Sequence, residues 1–178
     1  MSSGKQFVIG VAGHRKLPSE EIPTLTTEIE TFYRDVMKEH GKTIVMSPLA
    51  EGADTLCAKL ALDVGLRLIV PLPMNALEYR QAFTGAAETE LDCLLSLADR
   101  VFVVPPEETV PVNPKRGFYY RQAGIYVVKH CDILLAVWDG EERDTPDGAG
   151  TWETIKLARR VGKPVHRVAI NDKKRGMT

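Results

Sequence analysis

Phe7-Val8-Ile9-Gly10-Val11-Ala12 is a continuous apolar run closed by Gly13. A strand with one face in water alternates apolar and polar residues, whereas an unbroken run reads as a strand covered on both faces, the condition of a parallel sheet between helices. Similar runs recur at Thr43-Ile44-Val45-Met46, Leu66 to Leu72, Val101-Phe102-Val103-Val104, Ile133 to Trp138 and Pro164 to Ala169. Between them the period changes to that of an amphipathic helix. Leu25, Ile29, Phe32 and Val36 share one face of a helix from Thr24 to His40, which Gly41 stops, and Leu56, Leu60 and Val64 share a face from Ala53 to Val64, before Gly65. Asn75 can cap a short helix to Phe83, Leu91, Leu94 and Leu95 mark a helix from Glu88 to Ala98, and two more run from Phe118 to Lys129 and from Thr151 to Arg160. Strands alternating with helices predict an α/β fold: one Rossmann-like, doubly wound parallel sheet of about six strands with helices on both faces. Residues 1–170 are expected to form this domain, and 171–178 a flexible C-terminal tail.

The chain has 178 residues, 44% apolar and 26% charged, which suits a single globular domain with a sizeable core. Its formal net charge of −1 gives no overall electrostatic footprint for nucleic acid, so nucleic-acid partners are disfavoured. Cys57, Cys93 and Cys131 are widely separated and odd in number, the pattern of thiols in a reducing compartment, and no spacing asks for a metal or a cofactor. A short polar stretch opens the sequence and no apolar run approaches a membrane span, so a cytoplasmic protein without membrane partners is expected.

In a doubly wound sheet, ligands bind beyond the carboxyl ends of the strands. Three polar, glycine-bearing loops follow such ends here. Gly13-His14-Arg15 follows strand one, Ser47 to Asp54 follows strand two, and Asp139-Gly140, then Gly148-Ala149-Gly150-Thr151, follow strand five. Glycines admit a ligand close to the backbone, and the first amides of the helix opening at Thr151 point unpaired at whatever sits there, with the positive end of its dipole behind them. An anion is the expected guest. Arg15 can fork onto phosphate, and His14 can donate or accept near neutral pH. In the second loop Ser47, Glu51 and Gly52 accompany Asp54, which either holds a ribose hydroxyl or caps its helix. Arg121 lies in the first turns of its helix with Gly117 and Ile125 at i−4 and i+4, so no acid on that helix partners it. Tyr119, Tyr120, Trp138 and Trp152 fall near the same edge, where aromatics either stack a base or simply pack. The segment Pro105 to Gly117, with prolines at 105, 106, 111 and 114, reads as a lid or edge loop.

These loops resemble the SLOG superfamily, which groups Rossmann-like domains of the DNA-processing protein A type and the Lonely Guy, "lysine decarboxylase-like" type. Ser47-Pro48-Leu49-Ala50-Glu51-Gly52-Ala53-Asp54 with the strand Leu68 to Pro73 is similar to the serine-glycine-x-alanine-x-glycine-isoleucine-aspartate segment of the former. Arg121, the strand from Ile133, Gly148-x-Gly150-Thr151 and Gly162-Lys163-Pro164-Val165 are similar to the arginine, strand, PGGxGTxxE and glycine-lysine-proline-valine series of the latter. Two departures matter. The Pro-Gly-Gly is absent and Asp139 to Asp147 stands as a polar insertion, while the acid of GTxxE falls on Thr154, with Glu153 one residue early. One helical step turns a side chain by about 100°.

The resemblance implies three functions. The first is a sensor-type domain binding a nucleotide or nucleotide-derived small molecule, with Gly13, His14, Arg15, Gly148, Gly150 and Thr151 on phosphate, Arg121 neutralising charge, and Asp54 or Asp139 on ribose. The second is a nucleoside-monophosphate N-glycosidic hydrolase of phosphoribohydrolase type, in which Glu153 would stabilise positive charge at the sugar's anomeric carbon or position a water and Arg121 would hold the phosphate. Single-stranded DNA binding ranks third. A homodimer is also implied.

Overall fold

The computed structural model describes residues 4–170, so the expected tail at 171–178 lies outside the described residues. Six strands form one sheet: β1 (Phe7–Gly13), β2 (Thr43–Met46), β3 (Arg67–Leu72), β4 (Arg100–Val103), β5 (Ile133–Trp138) and β6 (Val165–Ala169). Six α-helices join them: α1 (Ile22–His40), α2 (Ala53–Asp63), α3 (Ala76–Arg80), α4 (Ala86–Leu97), α5 (Arg116–His130) and α6 (Thr151–Arg160). Every strand pair is parallel and the order is β4-β3-β2-β1-β5-β6. The α/β, doubly wound reading is therefore correct.

Both faces of the four central strands β3, β2, β1 and β5 are covered, which is why they carry unbroken apolar runs, whereas the edge strand β4 leaves Val101 and Val103 exposed despite its apolar run. On one face Leu25, Ile29, Phe32 and Tyr33 of α1, Cys57, Ala58 and Ala61 of α2, and Leu91 and Leu94 of α4 pack against Ile9, Val11, Val45 and Val70. On the other, Val127 and Val128 of α5 and Ile155 and Ala158 of α6 pack against Ala12, Leu134, Ala136 and Trp138. Gly10 lets α5 approach closely, since a Cβ there would lie 2.7 Å from Val127 Cγ1 and 2.9 Å from the Cys131 Cβ. At the opposite end of the sheet from the site, the Asp132 carboxylate accepts the Val8 N–H at 2.8 Å and ties β1 to β5 before their ladder begins.

The chain runs from β1 outward through β2 and β3 to β4, and α5 then carries it back across to β5 on the far side of β1. The loops leaving β1 and β5 consequently diverge to opposite faces, and a crevice opens between them: this is the topological switch point. Helix α3 is shorter than its sequence reading. Asn75 does cap it, accepting the Glu78 N–H at 2.9 Å, but after Arg80 only isolated turn bonds continue towards Phe83.

Candidate functional site

The switch-point crevice holds a cavity of about 470 Å³. Its base is the end of β1, Val11 to Gly13; its walls come from the loops after β1, β2 and β5, from Tyr79 of α3, from Tyr120, Ala123 and Gly124 of α5, and from the start of α6. The first two loops are stitched together by their backbones. Ala53 N–H donates to the His14 carbonyl at 3.0 Å, directly over Gly52, whose φ of +97° brings its α-carbon against the His14 and Arg15 carbonyls. Gly13 is held equally closely, since a Cβ on it would lie 2.9 Å from the Val137 carbonyl oxygen.

Arg15 emerges from this junction on the cavity wall, its guanidinium 4.9 Å from the centre of the Tyr120 ring. Among the described residues no hydrogen bond or ion pair holds that guanidinium. His14 is engaged differently: its Nε2 lies 3.1 Å from Asp139 Oδ1, bridging the ends of β1 and β5. Burial works to raise the Asp139 carboxyl, but the Glu141 amide, His14 and Arg143 outweigh it and hold the group below its ordinary value. Asp139 thus organises the loop, while Arg143 and Glu141 from the polar insertion reach the cavity itself.

Asp54 sits on α2 at the cavity with 7% of its surface exposed. Neither of its two expected roles describes its protein contact. Its Oδ2 accepts the Ala50 N–H at 3.2 Å, four residues upstream, and so braces the loop rather than capping a helix amide. Burial pushes its carboxyl up to about 7, against the pull of the Ala50 amide and of Arg15. Ser47 completes the brace: its hydroxyl donates to the Asp54 carbonyl at 3.2 Å and accepts from the Leu49 N–H, fixing buried Leu49 at a φ of +60°. Glu51 is exposed and Ser47 fully buried, and neither lines the cavity.

At the far wall α6 starts at Gly150 with no side-chain cap, so the first amides of Thr151 and its neighbours have no acceptor within the helix. Gly150, Thr151 and Trp152 line the cavity. Trp152 stacks on Trp138, with ring centres 5.6 Å apart and planes within 9°, so both serve packing as well as lining. Tyr119 instead packs against the core under the other face.

Gly52 and Asp139 stand behind the cavity wall rather than lining it, and three further residues expected at the site belong to a different cavity. Gly148, Arg121 and Glu153 line a second cavity of about 390 Å³, which shares only Gly124 and Thr154 with the first. Arg121 is paired after all, with Glu108 Oε2 at 2.9 Å and the Asp147 carbonyl at 2.8 Å; the acid comes from the proline-rich segment rather than from its own helix. Glu153 turns back onto the insertion, where Oε1 accepts from the Thr145 hydroxyl at 2.7 Å and from the Thr145 amide, while Oε2 is buried with no partner among the described residues. Thr154, in the register of the missing acid, donates to the Gly150 carbonyl and borders both cavities. The proline-rich segment is moored by Gln122, whose amide oxygen accepts from Glu107 N–H at 2.8 Å and whose nitrogen donates to Glu108.

The sequence reading missed Tyr79. It lies on the short α3, away from any strand end, and is 2% exposed; burial drives its hydroxyl far above the usual range. Among the described residues that hydroxyl has no hydrogen-bond partner, and no group of three or more His, Cys, Asp or Glu side chains is placed to hold a metal. No described helix is long and apolar enough to cross a membrane.

The fold recurs in solved structures. DNA processing protein A from Streptococcus pneumoniae superposes with a TM-score of 0.63 at 17% identity, over 94% of this chain and 52% of that one. The Helicobacter pylori protein of the same name, studied for its single-stranded DNA binding mode, gives 0.60 at 16% identity over 94% and 67%. The chain has the Rossmann-like fold of these proteins. The Chlamydomonas reinhardtii Moco carrier protein shares this fold, with a TM-score of 0.54 at 16% identity over 95% of this chain and 80% of that one. The chain spans about half the length of the Streptococcus protein. No protein-family profile matches the sequence, and no curated protein is similar to it.

Proposed function

We propose that the switch-point cavity binds an anionic, nucleotide-derived small molecule without transforming it. The observation that carries this reading is Arg15, a guanidinium on the cavity wall that no hydrogen bond or salt bridge holds among the described residues. Across from it the uncapped amides of α6 offer a second anion-binding element, and Tyr120 and Trp152 supply faces against which a base can stack. The volume suits a nucleotide-sized guest. Unpaired thiols at Cys57, Cys93 and Cys131 are in keeping with a reducing compartment such as the cytoplasm.

Binding ranks above N-glycosidic hydrolysis because Glu153, the one acid offered for that chemistry, faces Thr145 and the second cavity. The neighbouring folds point the same way, one being a carrier of a cofactor and another a binder of single-stranded DNA. Calorimetry with nucleoside mono- and diphosphates, cyclic nucleotides and ADP-ribose tests the reading. At least one should bind, and Arg15→Ala should weaken it by about 10- to 100-fold, the worth of a charge-assisted hydrogen bond. No response from any of them with folded protein refutes it. Incubation with AMP should release no adenine; release that Glu153→Gln abolishes would establish the hydrolase instead.

A further inference from the structure

We propose that Asp54 decides what this cavity accepts by meeting its ligand in the acid form, so that an anion enters together with a proton. The inference rests on the reading of the cavity as an anion site. Two buried polar groups line it with hydrogen-bonding capacity that the protein leaves unused. The Tyr79 hydroxyl has no partner among the described residues, and the Asp54 carboxyl has one, the Ala50 N–H on Oδ2. Both residues are otherwise enclosed, 2% and 7% exposed, so their remaining hydrogen-bonding capacity opens onto the cavity and is available to a guest there.

The groups electrostatically coupled to Asp54 come from four elements: Arg15 after β1, Tyr33 on α1, Cys57 on α2 itself and Tyr79 on α3. Burial keeps both phenols and the thiol neutral well beyond physiological pH, so Arg15 is the only permanent charge among them. With the cavity empty, Arg15 favours the carboxylate. An anion on Arg15 cancels that support and adds a negative charge of its own in a poorly solvated space. A second negative charge at Asp54 is then strongly disfavoured, while a carboxylic acid there can donate to a ligand oxygen. Asp54 thereby selects ligands that present an acceptor beside their anionic group, and it discriminates against the same ligand as pH rises.

The test follows the Asp54 carboxyl by carbon NMR in the full chain, from pH 5 to 9, in sodium sulfate and in sodium chloride of equal ionic strength. Sulfate keeps its charge over this range, so it reports the effect of an anion without a titration of its own. We expect a midpoint near neutrality that moves up by about half a pH unit or more in sulfate, and loses that movement in Arg15→Ala. A midpoint below pH 5, or one indifferent to sulfate, overturns the inference. Calorimetry with ADP-ribose, whose pyrophosphate also keeps its charge here, gives the second readout. Its affinity should fall towards tenfold per pH unit above the midpoint in the wild type and stay flat in Asp54→Asn. ADP-ribose binding that is independent of pH overturns the proton coupling and leaves the nucleotide reading intact. A carboxyl that answers sulfate in a protein that ignores every nucleotide does the reverse.

Discussion

Replacing Gly52 by alanine is expected to cost about 3–5 kcal/mol of stability, the sum of a backbone conformation reserved for glycine and of a collision that backbone cannot relieve. Gly52 has a φ of +97° and a ψ of −117°, and a Cβ built on it overlaps the Arg15 carbonyl and stands 2.7 Å from the His14 oxygen. Those carbonyls belong to the loop that delivers Arg15 to the cavity, and Ala53 N–H is hydrogen-bonded to one of them. The substitution therefore pushes apart the two loops on which the site is built. Gly65 is the control. It also has a positive φ, +85°, but nothing lies within 4 Å of a Cβ there, so Gly65→Ala should cost only about 1 kcal/mol. Urea denaturation of both variants separates strain from collision. A Gly52→Ala protein within 1 kcal/mol of Gly65→Ala would mean that the loops do not meet as described.

Since a folded domain is stable by only about 5–15 kcal/mol, one such residue carries a large share of the total. It does so at the site, where backbone strain recurs: Leu49, three residues earlier, is buried at a φ of +60° and held there by the Ser47 hydroxyl. Strain of this kind persists only where surrounding contacts over-determine it, here the brace of Ser47, Ala50 and Asp54.

The fold could be read from the sequence because the unbroken run at Phe7 to Ala12 and the helical period at Leu25, Ile29, Phe32 and Val36 are each dictated by burial alone. The same logic found the three loops, since whatever follows a parallel strand must lie on one edge of the sheet. Partner choice within that edge was less legible. Arg121 looked unpaired because helical spacing offers no acid on α5, yet its acid, Glu108, lies in a segment with no periodicity to place it. Glu153 likewise finds Thr145 in the polar insertion, whose path over the end of α6 no pattern in the sequence encodes. Tyr79 escaped notice because strand-end reasoning is blind to a short helix that reaches the cavity from the side. The state of Asp54 depends on its burial and on Arg15 from another loop, a property of packing that a local motif cannot display.

Asp54→Asn is expected to stabilise the protein in alkaline solution and to leave it nearly unchanged in acid. In the folded chain the Asp54 carboxyl is raised to about 7, whereas an unfolded aspartate titrates at about 3.9. The folded state thus holds the proton more tightly. Whatever stability this group contributes is fully present below about pH 4, declines as pH rises towards 7, and is gone above it. Three pH units correspond to about 4 kcal/mol, an upper figure because water and the Ala50 N–H moderate the charged form. Asparagine keeps an oxygen for that N–H and never ionises, so the gap between variant and wild type should open between pH 5 and pH 8.5. Asp139 does not confound the comparison: its carboxyl is lowered, so its contribution is lost only as pH falls through a value under 4, outside the range. Urea denaturation of both proteins at the two pH values measures the gap, and an equal difference at both would show that Asp54 is ionised in the folded chain like any surface aspartate. A variant that is more stable yet binds its ligand with no pH dependence would place the cost of burying Asp54 on the side of function, since nothing in the fold requires an acid there that asparagine cannot replace.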